Sequence, residues 1–539
     1  MESNLLILSD LHLGEQEPGE DRGYVEQRAD VLANQFGSFL EYYSQNRRDG
    51  LPWRLVIAGD MIDFMRIHVP CDNKEGWDNV AHHTTPRPDQ ALWKLPEHDL
   101  AGTLAKVEQL FVLNGKTFRH LVRFLLAGHE LRLVTGNHDA ELDWPEVQEL
   151  MREKLTELAR RERPHADVAA MQERIEFCPR FYYEPGRVYI EHGHYYDGYC
   201  KTEETMPPIW TSQGLQDRRL NSLSHQLNFT QFNNPKAFDT LPLHHIDQWS
   251  ALDILGWYFK RPFSQQFLLF RTFAMMVFQI VFMAWSSSFR SLLNLKGKER
   301  QDAIKQWADN HNLPVEAVEP LQQYVTPAIH TRFFDTMQAL YIDRMILMAG
   351  TAFFMTVCLV APWTSTVKAG LMTLNAAFFV GAFQYLARRR PLSETIPMLF
   401  AAATKISNYL NTPLVIMAHS HHYEQKELNG GKLYVNLGSW VVPHSLLHTA
   451  PEPQPKFSLP ETPATAMYGV PDFETRYMMI TSQQHPHHCE IGSWSYHSGA
   501  PTLEPVVYPV TDTCPTLTNT ACKASLALAK KAHSTSLVS

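Results

Sequence analysis

Short apolar runs, each closed by a small cluster of Gly, Asp, Asn or His, occur in the first 200 residues and again after residue 410. Ile7-Leu8, Leu55–Ala58, Leu131–Thr135, Leu414–Ala418 and Lys432–Leu437 end runs of this kind, too short for helices and too continuously apolar for strands with a wet face. They read as buried strands. Between them lie stretches of helical period: Ala29–Arg47, with Val31, Leu32, Phe36, Phe39 and Leu40 on one face, then Leu100–Ala127, Trp144–His165 and Ser393–Leu410. Phe181–Ile190 reads as a hairpin turned by Pro185-Gly186, which suits a type II turn. Glu474–Thr481 and Cys489–Tyr496 read as a closing hairpin, and strands alternating with helices predict an α/β fold. Residues 14–28, 66–99 and 451–471 read as loops, with His82 and His83 as solvent residues, and no internal repeat is found.

From about Tyr199 the pattern changes. Residues 200–245 are polar and rich in Asn, Gln and Pro, and three long apolar runs follow: Thr272–Phe289, Met345–Trp363 and Ala369–Ala387. The α/β pattern then resumes, which predicts a discontinuous domain, 1–199 and 400–500, interrupted by a mainly helical insertion, 200–399, and followed by a tail, 501–539. Met345–Trp363 and Ala369–Ala387 are uncharged and nineteen residues long. At 1.5 Å per residue each makes about 28 Å of helix, close to the roughly 30 Å of a bilayer's hydrocarbon. Arg344 and Arg388-Arg389-Arg390 flank the pair while its turn carries only Lys368, so a hairpin over 345–387 would keep both ends in the cytoplasm. Thr272–Phe289 contains Gln279 and is abutted by Arg271 and Arg290; it is expected to be an interfacial or core helix. The alternative is a soluble helical cap, since Asn375 and Gln384 are awkward in lipid.

A chain of 539 residues holds material for more than one ordinary domain. With 48 Lys+Arg against 57 Asp+Glu, a formal charge of −9, it has no general attraction for nucleic acid, and no such partner is expected. Seven cysteines without a Cys-x-x-Cys pair indicate neither a disulfide framework nor a zinc knuckle. The first strand begins within a few residues of Met1, with no basic-then-apolar leader, so the α/β half is expected in the cytoplasm.

The polar clusters that close the strands carry the chemistry. They are Asp10-Leu11-His12, Gly59-Asp60-Met61-Ile62-Asp63, Gly136-Asn137-His138-Asp139, Glu191-His192-Gly193-His194 and Ala418-His419-Ser420-His421. Residues two apart on a strand share a side, so Asp10 and His12 face one way. Together the clusters offer enough oxygen and nitrogen ligands for two divalent ions, which need an anionic bridge between them. Asp60 is the candidate bridge. Carboxylates, imidazoles and one amide oxygen, without thiolate, suit two ions of Mn, Fe or Zn, with Mn preferred here.

In this order the five blocks resemble the calcineurin-like metallophosphoesterase superfamily. The resemblance covers roughly residues 1–200 and 405–445 and implies a four-layer αββα sandwich, here with a large helical insertion. It implies that Asp10, His12, Asp60 and His421 hold one metal and Asp60, Asn137, His192 and His419 the other. His138 would then contact the phosphate and protonate the leaving oxygen, oriented by Asp63. His194 is not expected to be a ligand, because that motif uses only the first histidine of its block. Ala-His-Ser-His stands where the family usually has Gly-His-Thr-His. Placement of the insertion, with Gly438-Ser439-Trp440 downstream, is similar to the UDP-2,3-diacylglucosamine diphosphatases, although this insertion is far larger. The expectation is a phosphoesterase acting on a phosphorylated small molecule or lipid at the cytoplasmic face of a membrane, or in the cytoplasm as a soluble protein. Alternatives are a nucleotide phosphodiesterase or nuclease, and a non-catalytic scaffold, which should have lost ligands or the acid histidine.

Overall fold

The computed structural model describes residues 3–16, 22–67, 69, 100–201, 256–290, 305, 321, 328–329, 332–340, 342–388, 395–442, 473–481 and 489–506. His82, His83, the loop 451–471 and most of 200–245 lie outside these residues.

Two sheets stack face to face. In the first, β1 (Asn4–Leu8), β2 (Trp53–Ala58), β3 (Glu130–Val134) and β4 (Ile175–Cys178) run parallel. Three antiparallel strands, β10 (Glu474–Ile480), β11 (Cys489–Ser495) and β12 (Pro501–Pro505), extend it in the order β12-β11-β10-β1-β2-β3-β4. The second sheet runs β5-β6-β7-β9-β8, from β5 (Phe181–Glu184), β6 (Val188–Glu191), β7 (Leu414–Met417), β8 (Tyr423–Leu428) and β9 (Lys432–Leu437).

Continuous apolar strands follow from burial on both faces. Leu6 and Leu8 of β1, with Leu55 and Ile57 of β2, turn outward onto α1 (Arg22–Gln45), α2 (Leu100–Leu113), α3 (Gly115–Leu126) and α4 (Pro145–Glu162). Leu5, Ile7, Val56 and Ala58 turn inward, against Val188, Ile190, Leu414 and Ile416 of the second sheet. Val415 and Met417 of β7 face the far side, where α10 (Thr395–Leu410) packs Leu399, Ala403 and Ile406. The result is a four-layer αββα sandwich. Burial of each such side chain contributes roughly 1.5–3 kcal/mol, and a one-residue slip would exchange the two faces of a strand, so register is firmly set.

The stretch 100–127 differs from the expected single helix. It is two helices, α2 and α3, parted at Asn114-Gly115, both poor helix formers. A short helix, α5 (Val168–Glu173), leads into β4.

Within the insertion, α6 (Phe263–Arg290) packs Met276 and Ile280 against Ala339 of α7 (Phe333–Ala339) and against Ile329 and Leu340. α8 (Ile342–Val360) and α9 (Ser365–Arg388) form an antiparallel helical hairpin. Among the described residues, three helical segments are long and apolar enough to cross a membrane: Phe263–Phe282, Ile342–Val360 and Ser365–Leu386. α6 meets the same test of length and composition as the hairpin, so packing is what sets it apart: 24 % of its segment is buried, against 11 % for α8 and 0 % for α9.

Candidate metal centre

Each block sits just past the carboxyl end of a strand, Asp10 after β1, Asp60 after β2, Asn137 after β3, His192 after β6 and His419 after β7. Backbone pairing continues through these loops, because His12 N donates to Asp60 O (3.0 Å) and Leu13 N to Met61 O (2.9 Å). Asp10 O is clasped by Trp440 N (3.1 Å) and Ser439 Oγ (3.2 Å), while Ser9 Oγ donates to Gly438 O (3.1 Å). The Gly438-Ser439-Trp440 block thus locks the end of β9 onto the first candidate ligand.

Asp10, His12, Asp60, His419 and His421 all have left-handed backbones, with φ of 53°, 46°, 50°, 68° and 56°. Such conformations cost non-glycine residues on the order of 1–3 kcal/mol each and persist only where the surroundings enforce them. Two glycines permit the close approach that follows. A Cβ on Gly59 would lie 2.4 Å from Nδ1 of His192, and one on Gly136 would lie 2.1 Å from Oδ1 of Asp60.

Asp60 stands at the middle. Its Oδ2 lies 3.1 Å from His192 Nε2 and 3.7 Å from His12 Nε2, while its Oδ1 accepts from His138 N (2.8 Å). His192 Nε2 is also 3.0 Å from Asn137 Oδ1. Asp10 Oδ1 lies 3.1 Å from His421 Nε2 and 3.8 Å from His12 Nε2. Ligand atoms of Asp10, His12 and His421 fall within 4.8 Å of one another, as do those of Asp10, Asp60 and His192 and those of His12, Asp60 and His138. These clusters of Asp and His are capable of chelating divalent metal ions.

The donor set fits such ions on its own terms. Both oxygens of the fully buried Asp10, and Nε2 of the buried His12, lack an aligned hydrogen-bond partner. A buried carboxylate left in that state costs several kcal/mol unless a cation meets it. Burial alone would raise Asp60 and Asp10, yet the neighbouring imidazoles, His192 and His421 foremost, hold both well below the usual carboxylate range. Burial pulls His12 down, but the nearby carboxylates of Asp10, Asp63 and Asp60 hold it well above its ordinary value.

His138 lies beside this centre, half-buried, with Nδ1 3.0 Å from Asp63 Oδ2. The same Asp63 oxygen is 3.3 Å from His12 Nδ1 and 3.6 Å from Arg66 Nε. Among the described residues, His419 does not group with the other candidate ligands. Its ring is 5.2 Å from that of His192, but its Nε2 bonds Asp197 Oδ2 at 3.2 Å, and the potential ligand atoms grouped with it within 4.8 Å are those of Asp197 and Cys200. His194 is buried, and that burial, with the charges of His192 and His419, holds it well below its ordinary value.

Two further residues belong to this region, one named in a strand-end block without a role and the other outside every block. Asp139 accepts from Gly136 N (2.6 Å), Met61 N (2.8 Å) and Ile62 N (3.4 Å), tying the loops after β2 and β3 together. Burial and the Asp60 charge push it up to about 8, against amide donors that favour its anion. Its signal was in view, as the acid that closes the Gly-Asn-His block. Asp197 had no motif to mark it.

Compared with protein-family models, with curated proteins and with solved structures, the chain matches none. The mixed α/β sandwich and its adjoining Asp/His clusters are consistent with the calcineurin-like superfamily in general.

Proposed function

We propose that the chain is a dinuclear metal-dependent phosphoesterase that cleaves a phosphate ester or pyrophosphate of an amphipathic or lipid-linked substrate at the cytoplasmic membrane face. The observation that carries this reading is the wholly buried Asp10 carboxylate, without an aligned donor, beside Asp60 and three imidazoles. Asp10, His12, Asp60 and His421 would hold one ion, and Asp60, Asn137, His192 and His419 the other, with Mn favoured by the oxygen and nitrogen donors. Bound ions would supply an activated water and neutralise phosphoryl oxygens.

The protein's own residues do the rest. Asp63 sits beside Nδ1 of both His12 and His138, so one carboxylate orients a ligand and an acid. With Nδ1 against Asp63, Nε2 of His138 is the atom left to give a proton to a departing oxygen. Burial would raise Asp63, but the charge of His138 and its bonds to His12 and His138 keep it well below the usual range. It therefore faces His138 as an anion.

The hairpin α8–α9 supports a membrane partner. Phe353, Leu359, Val360, Leu374 and Phe378 are exposed along it. Thr356 Oγ1 donates to Ala352 O, Thr373 Oγ1 to Ala369 O and Asn375 Nδ2 to Thr351 O, so these polar side chains are satisfied inside the hairpin, as lipid requires. Candidate ligands stand on both sides of the insertion, His192 before and His419 after, so the number of crossings must be even. The hairpin supplies two, and α6, packed on α7, is the helix left out.

The test is a screen of purified protein with Mn²⁺ against a soluble phosphomonoester, a phosphodiester and a nucleotide-sugar lipid. Turnover of all three too slow to exceed the metal-free control would overturn the proposal. Preference for the lipid would support its full form.

A further inference from the structure

We propose that Asp197 is a positioning residue for His419, holding its Nε2 so that Nδ1 is the nitrogen presented to the metal centre. This rests on the dinuclear reading above. A metal-binding imidazole has two nitrogens, and the partner of one decides which is left for the metal. Two of the other candidate histidines show the pattern. His192 Nδ1 is held 3.0 Å from Ala58 O, leaving Nε2 toward Asp60. His12 Nδ1 is 3.3 Å from Asp63, leaving Nε2 toward Asp10 and Asp60. In His419 the roles are exchanged, with Nε2 bound to Asp197 Oδ2 at 3.2 Å.

Asp197 is itself held in place. Its Oδ1 accepts from Tyr199 N (2.8 Å), its Oδ2 also accepts from Thr395 Oγ1 (3.3 Å), and its carbonyl accepts from Cys200 N and Lys201 N. Asp197 stands where the chain leaves the sandwich for the insertion, and Thr395 opens α10 where it returns. Both ends of the insertion therefore close on one candidate ligand. Cys200 lies within ligand distance of the same pair, so a separate ion on Asp197, Cys200 and His419 is the competing arrangement.

Full-length protein stripped with chelator and titrated with Mn²⁺ separates these cases, with bound metal counted by elemental analysis and affinities read by calorimetry. Wild type should bind two ions per chain. Asp197→Ala should weaken one of the two by about 10–100-fold, the usual cost of losing such a partner, and leave the other unchanged. Asp197→Asn, which keeps an oxygen acceptor for Nε2–H, should recover most of that loss, and Thr395→Val should lose less than Asp197→Ala. Cys200→Ser should bind both ions as wild type does. Two ions at unchanged affinity in folded Asp197→Ala would overturn the inference and leave the dinuclear reading intact. Loss of metal in Cys200→Ser equal to that in Asp197→Ala would make Asp197 a ligand of a different site and overturn it as well. No metal in wild type would overturn the dinuclear reading itself.

Discussion

Replacing Gly136 by alanine tests the tightness of the centre. Gly136 does not have a left-handed backbone, so alanine there would ordinarily stabilise the fold by about 0.4–1 kcal/mol through the unfolded chain. The structure predicts the opposite sign. A Cβ would sit 2.1 Å from Asp60 Oδ1 and 2.6 Å from Asp60 N, and the second atom is backbone that no rotamer change can move. The loop carrying Asn137 and His138 must draw back by nearly an ångström to reach an ordinary contact. That retreat strains the bond from His138 N to Asp60 Oδ1 and the ties of Asp139 to Met61 and Ile62. Overpacking of this kind costs roughly 1–3 kcal/mol, and a strained hydrogen bond adds about 0.5–1.5 kcal/mol. Thermal unfolding of the metal-free variant should fall by several degrees, at roughly 2–4 °C per kcal/mol for a large domain, and metal affinity should fall with it. Equal or higher melting temperature, with wild-type metal affinity, would refute the packing of Gly136 on Asp60.

Three further outcomes follow from other parts of the molecule. His138→Ala should keep nearly normal metal content while turnover drops by roughly 10²–10⁴-fold, less on substrates with good leaving groups; loss of metal along with activity would make His138 a ligand. Deleting 345–387 should free the protein from membranes that alkaline carbonate cannot strip of the full chain, with metal content retained and activity on a small phosphoester preserved. Full-length protein that washes off without detergent would refute the membrane hairpin. Buried His129 accepts from Trp53 N through Nδ1, and burial, then the charge of Arg47, push it down to about 4. A depressed histidine is neutral when folded and binds a proton more readily when unfolded. Its stabilisation is therefore full above about pH 6.5 and lost as pH falls toward 4, on the order of 3 kcal/mol. The melting temperature of His129→Gln should fall less steeply than wild type over that window, and parallel curves would contradict the assignment.

How much could be read from the chain depends on where burial lies. β1, β2 and β7 are buried on both faces, so each is an apolar run with an abrupt polar end, and the α/β class and the strand-end blocks are legible from that alone. Edge strands give no such signal. β8, Tyr423–Leu428, is half exposed and carries Glu424, Lys426 and Glu427, charges that protect an open edge while hiding the strand from a search for apolar runs. β12 is bounded by Pro501 and Pro505, tolerable only because it pairs on one side. Among the site residues, Asp10, Asp60 and Asn137 follow their strands within a few positions, so periodicity finds them. Asp197 meets His419 across 222 positions of sequence, through a turn with no periodic pattern, and only the folded chain brings the two together. Asn114-Gly115 is the converse case, where apolar spacing ran on through a local break.

In the proposed dinuclear centre, two metal ions share the Asp60 carboxylate. Elemental analysis of folded wild-type protein loaded with Mn²⁺ or Zn²⁺, beside Asp60→Asn and single replacements of Asp10, His12, Asn137, His192, His419 and His421, tests this most directly. Wild type should bind two ions per chain, and Asp60→Asn should lose more than any other variant, because only Asp60 would serve both ions. At most trace metal in the loaded, folded wild type, or an Asp60→Asn protein that still holds two ions, would contradict it.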